Sequence, residues 1–387
     1  MITLPDGPPV LSLFSGAGGL DLGAQDAGAD VKAGVEPDPD CVRTLLANHR
    51  MFPKLRVIPT PIERVSAASL MRVAGLQRGE AALLIGGPPC QPFSKSGYWL
   101  LDQRLGLEDP RAWLLHHYIR ILKGTRPAGF IFENVASLMH PKHRNVIDTL
   151  IEGAESVGYA TRTQLVHSVQ YGVPQTRARL FVTGYLGKNP PKRLEPTHWW
   201  RDANQNKAKL LPPETAGRWI ASLDKEHIEE AGETPGGRWL EHLREVPPGW
   251  NYKWHTEWAG HPRPTFVTET KFWSFLLKLS PYRPSWTIQA SPGPWTGPLH
   301  WNNRRLRIPE LAALQTFPRS FRFEGDRRTV GRQIGNAVPP LLASKIVASL
   351  LRDIMGQGIR RGRKLRYQLA DHYPLDEDFV RLRGPRW

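Results

Sequence analysis

The chain is poor in cysteine. Cys41 and Cys90 are the only two in 387 residues, which excludes a disulfide-stapled scaffold and any zinc site built mainly on thiolates. It also points to a reducing compartment. Long hydrophobic runs are scarce as well, and no stretch approaches the roughly 20 apolar residues of a membrane span. Met1 to Pro9 carries neither a charged leader nor a long apolar stretch, so no secretory signal is expected. Internal repeats and low-complexity tracts are lacking. Acidic residues are the remaining shortage, 36 against 52 basic, for a net charge of +16. A surplus of this size suits a polyanionic partner. No long basic amphipathic helix stands out for a membrane surface. Apolar residues make up 40% of the chain, enough for a folded protein of one large or two smaller domains.

The first half alternates between two hydrophobic periods. Val10 to Phe14, Val31 to Val35, Ala81 to Ile85 and Phe130 to Phe132 are short apolar runs, each a candidate parallel strand buried on both faces. Leu114, Tyr118, Ile121 and Leu122 share a helix face over about 111–123, and Val146, Leu150, Ala154 and Val157 share another that Gly158 ends. Such alternation predicts a doubly wound α/β sheet, whose ligands sit at the carboxyl ends of the strands. Gly16, Glu36, Cys90 and Glu133 all follow strand ends. Composition shifts after residue 187. Ten of the 14 tryptophans fall between residues 199 and 295, where periodicity is poor, which suggests a loop-rich second domain. Regular pattern returns at Arg307 to Leu311, with Pro309 suited to the first position of a helix. A last helix is expected from Pro339, and the tail beyond Arg352 is basic. The expected division is 1–187, 188–325 and 326–387.

Four segments carry candidate chemistry. Phe14-Ser15-Gly16-Ala17-Gly18-Gly19 is a glycine loop between a strand and a helix, and Glu36 lies 18 residues past Gly18. An acid near that offset suits ribose hydroxyls, although the spacing is not the dinucleotide fingerprint and a plain tight turn is the alternative. Gly86-Gly87-Pro88-Pro89-Cys90-Gln91-Pro92-Phe93-Ser94 holds a cysteine on a stiffened loop. It is either a nucleophile of lowered pKa or an inert thiol in a turn. Glu133-Asn134-Val135 places a carboxylate at the next strand end, as an acid for the same ring or as a helix cap. Gln175-Thr176-Arg177-Ala178-Arg179 sets two arginines on one side of a strand, facing an anion, a base edge or solvent. Cys41 sits in a helical pattern and reads as core.

The order and identity of these segments, followed by Arg305-Leu306-Arg307-Ile308-Pro309-Glu310-Leu311-Ala312-Ala313-Leu314-Gln315-Thr316-Phe317-Pro318 and Gln333-Ile334-Gly335-Asn336-Ala337-Val338-Pro339-Pro340, closely resemble the DNA (cytosine-5)-methyltransferase family over about residues 10–187 and 300–350. The resemblance implies the Rossmann-like class I fold of S-adenosylmethionine-dependent methyltransferases, with a doubly wound mixed sheet and a smaller target-recognition domain. It implies that Cys90 attacks C6 of a flipped cytosine, that Glu133 serves N3, and that Arg179 holds O2 with Arg177 close by. It places Phe14, Ser15, Gly16, Gly18, Gly19, Leu20, Glu36, Pro88, Leu114, Asn336 and Val338 around S-adenosylmethionine, leaving S-adenosylhomocysteine as product and calling for no metal. Gln91 to about Asp109 matches the family's mobile catalytic loop, with Gln91, Ser94, Lys95, Ser96 and Arg104 toward DNA.

Two departures concern adenine. Thr60-Pro61-Ile62 stands where the family often has an Asp, and Pro37 follows the ribose acid in place of an aromatic. Residues 188–300 would read the DNA sequence. Lys192, Arg193, Arg201, Lys207 and Lys209 suit phosphates there, and Arg238, Arg244, Arg263 and Lys271 suit bases. The expected partner is double-stranded DNA, handled by a monomer in the cytoplasm at the nucleoid, in a restriction-modification or other prokaryotic or phage defence system. A tRNA cytosine-5 methyltransferase of the same fold is the alternative, disfavoured because no cysteine follows Cys90. A catalytically idle DNA-binding protein is disfavoured by intact Cys90, Glu133 and Arg179.

Overall fold

The computed structural model describes residues 7–89, 110–200, 209–224, 230, 232–267, 272–356 and 365–370. Its first half alternates β1 (Pro9–Leu13), α1 (Gly19–Asp26), β2 (Asp30–Val35), α2 (Pro39–Ala47), β3 (Arg56–Ile58), α3 (Ala67–Ala74), β4 (Leu83–Gly86), α4 (Pro110–Thr125), β5 (Gly129–Val135), α5 (Arg144–Glu155), β6 (Tyr159–His167) and β7 (Ala178–Leu186). The second half adds α6 (Ala216–Asp224), α7 (Leu240–Glu245), α8 (Ile308–Leu314), α9 (Arg327–Asn336) and α10 (Pro340–Met355). All strands join one sheet in the order β3-β2-β1-β4-β5-β7-β6. β1 to β5 pair in parallel, and β7 runs antiparallel to β5 and β6. The expected doubly wound mixed sheet is present. The chain crosses between β1 and β4, so their carboxyl ends open a crevice.

Period-two burial explains the continuous apolar runs of the central strands. On β4, Leu83 and Ile85 face one core while Leu84 faces the other, and on β5 Ile131 opposes Phe130 and Phe132. Leu70 of α3, Leu115, Tyr118 and Leu122 of α4, and Leu150 of α5 cover one face. Leu20 and Ala24 of α1 cover the other, with Leu342, Ile346 and Leu350 of α10. β6 escaped the sequence reading because it is an edge strand with mostly half-exposed side chains and shows no long apolar run.

Three expectations need correction. The segment Arg327–Met355 does reach a membrane-like mean hydropathy of 1.4 in its best window, but 67% of that window is buried within the protein. Pro339 also separates α9 from α10, and α10 is a core helix. Pro309 takes the second rather than the first position of its helix, because α8 starts at Ile308. Phe317 and Phe321 already pack on Leu22, Leu45 and Phe52, so the return to the first half begins ahead of residue 325.

Between β7 and α8 the chain holds together through two small cores. Trp219, Ile220 and Leu223 of α6 pack on Leu306 and Leu314. Leu243, Tyr252, Leu276 and Leu299 form the second, rimmed by Trp239, Trp250, Trp254 and Trp295. Most of these tryptophans are core or rim, as their density suggested, while Trp258 is exposed. A buried ion cluster braces the first core. Arg304 lies 2.6 Å from Asp224, 2.6 Å from Glu310 and 3.1 Å from Glu233.

The tightest helix contact in the first half involves Gly23 of α1. A Cβ there would stand 2.3 Å from Ala343 Cβ and 2.7 Å from the Pro340 carbonyl oxygen of α10. Alanine in place of a helix glycine contributes about 1 kcal/mol through propensity, whereas overpacking costs about 1–3 kcal/mol. A backbone oxygen cannot step aside, so the second effect wins. Gly23→Ala is expected to lower stability by roughly 1–2 kcal/mol in urea unfolding. A stabilised variant would mean that α1 and α10 separate easily.

Candidate active site

The glycine loop follows β1 and turns through left-handed backbone. Gly16 has φ +55° and Gly18 φ +81°, conformations that favour glycine. The two play different parts. A Cβ on Gly18 would press to 2.7 Å from Leu45, whereas one on Gly16 would meet nothing within 4 Å, so Gly16 faces open space. Phe14 also carries a positive φ, 56°, and its ring leans on the core face shared with Leu114 of α4. Ser15 is held by its amide on Val35 O at 3.2 Å and by a hydroxyl contact with Ser12 at 3.0 Å. Gly19 opens α1 beneath Val338, whose carbonyl oxygen would be 2.3 Å from a Cβ. Leu20 places its side chain in the core, leaving only its first-turn amide toward the crevice.

Glu36 ends β2 with both carboxylate oxygens fixed. Oε2 accepts from the Gly16 amide at 2.7 Å, and Oε1 from the Asp38 amide at 2.8 Å. Burial raises its pKa, and the two amides pull it back. The carboxylate therefore stands beside the open face of Gly16, with lone pairs left for two vicinal hydroxyls. Thr60 and Pro61 follow β3, next to Glu36, whose amide donates to Ile58 O at 3.1 Å. Asn336, the last residue of α9, is exposed, and Val338 is buried beside Leu20. Gly16 and Glu36 are thus brought together from the ends of β1 and β2, and Val338 packs in the core beside Leu20.

Asp21 was missed. It is fully buried in α1, beside the Ser12 hydroxyl under the glycine loop, and burial pushes its pKa up to about 7. The only signal in the sequence was an acid set among apolar and small residues in Gly19-Leu20-Asp21-Leu22.

The second half of the site lies at the ends of β4 and β5. Gly86 and Gly87 are glycines of necessity. A Cβ on Gly86 would reach 2.4 Å from Leu13 O, and one on Gly87 would reach 2.7 Å from both the carbonyl oxygen and Oε2 of Glu133. The loop toward Cys90 therefore starts in direct contact with Glu133. Pro88 is buried, and its carbonyl accepts from Asn134 Nδ2 at 3.5 Å. Cys90, Gln91, Ser94, Lys95, Ser96, Arg104, Arg201, Lys207 and Lys271 lie outside the described residues.

Glu133 is buried and pairs with Arg179, Nε to Oε1 at 3.0 Å. The pairing follows from strand register: Val135 on β5 is opposite Arg179 on β7, and Glu133 is the diagonal neighbour on the same face. Burial raises the Glu133 pKa, and Arg179 and then Arg177 lower it. Arg177, of the two arginines, is turned inward and away from solvent. It precedes β7, is 1% exposed, and donates to Gly335 O at 2.8 Å and Ile288 O at 3.3 Å. It clamps the segment before Asn336 and adds positive potential at Glu133. Gln175, also buried, donates to Gln315 Oε1 at 2.6 Å, and Gln315 donates to Ala337 O at 2.5 Å. These positioning residues sat inside the quoted motifs, but the partners of Arg177 and Gln175 lie more than a hundred residues away.

Of the proposed base readers, Arg238 is exposed and stacks 4.3 Å over Trp239, Arg244 pairs with Glu241 at 2.7 Å, and Arg263 is exposed. Lys192, Arg193 and Lys209 are exposed. Cys41 is core, and burial pushes its thiol pKa far up, which makes it unreactive.

This sheet order, with β7 inserted antiparallel and a glycine loop after β1, defines the class I methyltransferase fold that binds S-adenosylmethionine. Within that class, the chain belongs to the C-5 cytosine-specific DNA methylase family, whose model matches residues 9–352. It is 39% identical over 371 residues to the Type II methyltransferase M.SacI of Streptomyces achromogenes, covering 89% of this chain and 93% of the relative. It is 31% identical over 385 residues to the Type II methyltransferase M.XorII of Xanthomonas oryzae pv. oryzae, covering 89% and 85%. Among solved structures, the Dnmt2 methyltransferase of S. pombe shares the fold with a TM-score of 0.60 at 16% identity, covering 90% of this chain and 99% of that one. The enzyme is a DNA cytosine-5 methyltransferase, and its methyl donor is S-adenosylmethionine. The open face of Gly16 and the fixed Glu36 carboxylate fit that donor.

Two tests follow from this geometry. Gly87→Ala should push against the Glu133 backbone, which cannot yield, and should slow methyl transfer by roughly tenfold or more through misplacement. An unchanged rate would mean that Glu133 and the loop are not coupled. Asp21 gives a pH signature. Its pKa is raised on folding, so below pH 4 both states are protonated. Between about 4 and 7 the unfolded state ionises while the folded state keeps its proton. Wild type therefore loses stability as pH rises through that window, on the order of 4 kcal/mol in all. The Tm of Asp21→Asn relative to wild type should climb from pH 4 to 7 and then level off. A difference that does not vary with pH would remove Asp21 from this role.

Proposed function

We propose that the enzyme methylates C5 of a cytosine flipped out of a specific duplex DNA sequence, through a covalent adduct between Cys90 and C6. The observation that carries this reading is the buried Glu133–Arg179 pair at 3.0 Å, in contact with the loop that leads to Cys90. Cytosine C5 is a poor nucleophile until a thiolate adds to C6. Glu133, held toward the protonated form by burial, donates to N3 so that negative charge does not build on the ring. Arg179 holds O2, and its guanidinium keeps Glu133 oriented. S-adenosylmethionine, when bound, supplies an electrophilic methyl group. Glu36 would bind its ribose hydroxyls, the turn from Phe14 to Leu20 would hold its methionine and adenine, and Asn336 would serve its amino-acid end. A base then removes the C5 proton, and the C6–S bond breaks to restore Cys90.

Reading of the sequence falls to residues 188–300, with Arg238, Arg244, Arg263 and Lys271 toward bases. Gln91, Ser94, Lys95, Ser96 and Arg104 contact DNA from the catalytic loop. The names of M.SacI and M.XorII support a Type II restriction-modification role, in which methylation marks self DNA. The enzyme acts as a monomer at the nucleoid.

The deciding experiment is methyl transfer from labelled donor to unmodified genomic DNA and to tRNA, followed by base-resolution mapping. Wild type should methylate cytosine within one short duplex motif, and Cys90→Ala should not. Glu133→Gln should be slower by roughly a hundredfold or more. Because Glu133 works as an acid, the wild-type rate should fall as pH rises through its raised pKa, and that limb should flatten in Glu133→Gln. Methylation by Cys90→Ala, or transfer to tRNA alone, would overturn the proposal.

A further inference from the structure

A cluster outside the catalytic crevice has the chemistry of a metal site. Glu245 ends α7, His255 ends the 3-10 turn Tyr252–His255, and His261 lies on the following loop. One ligand atom from each falls within a mutual 4.8 Å. His255 Nδ1 is 3.6 Å from Glu245 Oε2, and His261 Nε2 is 3.5 Å from the same oxygen. Four-coordinate zinc with bonds of about 2.0–2.2 Å needs ligand atoms about 3.4 Å apart. The observed spacings suit that geometry and are long for hydrogen bonds.

The outer contacts decide where the lone pairs point. His255 Nε2 lies 2.8 Å from the His242 carbonyl oxygen, which only accepts, so Nε2 carries the proton. His255 is 1% exposed. Its Nδ1 faces Glu245 Oε2 at 3.6 Å, longer than a hydrogen bond, at the boundary between the buried ring and the exposed carboxylate. A cation held between them would satisfy both atoms. His261 stands on the other side of the same carboxylate oxygen. Its Nδ1 is 2.9 Å from Arg263 O and 3.2 Å from the Arg263 amide. The Arg263 amide donates to that Nδ1, and Nε2 is turned toward Glu245 Oε2 at 3.5 Å. Histidines that bind metals typically donate their other ring N–H to a carbonyl, as His255 does. Phe266 closes the inner side, 6.2 Å from the His255 ring, and Glu245 is largely exposed, so a fourth position opens to water.

We propose that Glu245, His255 and His261 bind one divalent transition-metal cation of the zinc type, with water as fourth ligand. The metal ties α7 to the loop that carries Arg263, in the region assigned to DNA reading. The site departs from the expectation that no metal is needed. Cysteine scarcity argued only against thiolate sites, and histidines spaced irregularly over 20 residues carry no zinc-finger signature. A second group, Asp224, His300 and Glu310, also meets the distance criterion, but there the Arg304 guanidinium already lies 2.6 Å from both carboxylates. A cation is therefore already present in that cluster. None lies between Glu245 and the two histidines among the described residues.

The test uses the full untagged chain, stripped with a chelator and titrated with Co²⁺ and then Zn²⁺. Wild type should take up one equivalent of cobalt with the visible absorption of a four-coordinate site, and zinc should displace it. His261→Ala and Glu245→Gln change partly exposed side chains. Both should keep the wild-type circular dichroism spectrum yet bind at least roughly tenfold more weakly. Zinc should raise the Tm of wild type and leave that of both variants unmoved. Absence of a cobalt equivalent on wild type, or equal binding by wild type and the two folded variants, would overturn the proposal.

Discussion

The structure depends on how closely the last helices approach the first loop. Gly19 leaves room for the Val338 carbonyl, and Gly23 leaves room for Ala343 and Pro340. The approach is driven by α10, whose Leu342, Ile346 and Leu350 are almost wholly buried on the sheet. Each such side chain contributes roughly 2 kcal/mol. Arg177 then locks Gly335 from the other side, where a Cβ would strike Ala290 at 2.6 Å. The turn from Gly16 to Gly19 thus has a floor made by residues more than three hundred positions away. Burial supplies the drive, and glycine supplies the clearance.

The same region holds three buried carboxylates whose surroundings set them different tasks. All three have pKa values raised by burial. Asp21 has the Ser12 hydroxyl as its chief counterweight and is pushed up to about 7. Glu36 has two backbone amides, which fix the direction of its lone pairs as well as favouring its charge. Glu133 has guanidinium groups instead, and these hold it in place while burial favours the proton. A hydrogen-bonded carboxylate suits hydroxyl binding, and a paired, buried one suits proton delivery.

The first half was largely legible because local pattern and tertiary role agree there. Apolar runs became the central strands, and residues at strand ends became the crevice. Legibility failed where a residue acts through a distant partner. Arg177 and Arg179 look equivalent in Gln175-Thr176-Arg177-Ala178-Arg179, yet β7 starts at Ala178 and only Arg179 is turned toward Glu133. Arg177 lies outside the ladder and folds inward to carbonyls on two other segments. Asp21 was passed over because a helix acid is ordinarily a solvated one, and only the cover of the glycine loop makes it costly. Between residues 188 and 307 periodicity has little to report, since among the described residues short turns and isolated bridges prevail outside α6 and α7.

That middle region follows a different building rule, and the rule bears on what it can tolerate. Its two cores are separate from the two that sandwich the sheet. Cohesion between its segments comes from directional contacts: Arg304 among three carboxylates, Lys278 on Asn303 at 2.6 Å, and tryptophan rims. His300, packed on Trp301 beside Arg304 and Arg307, is held neutral with its pKa down to about 2, so it adds no further charge to that cluster. Removing one partner of a buried charge set leaves the others uncompensated, at about 3–5 kcal/mol, so these interior residues are constrained. Arg238 and Arg263 are exposed, Arg238 stacking on Trp239. A region assembled in this way can change its outward face while its bracing stays intact.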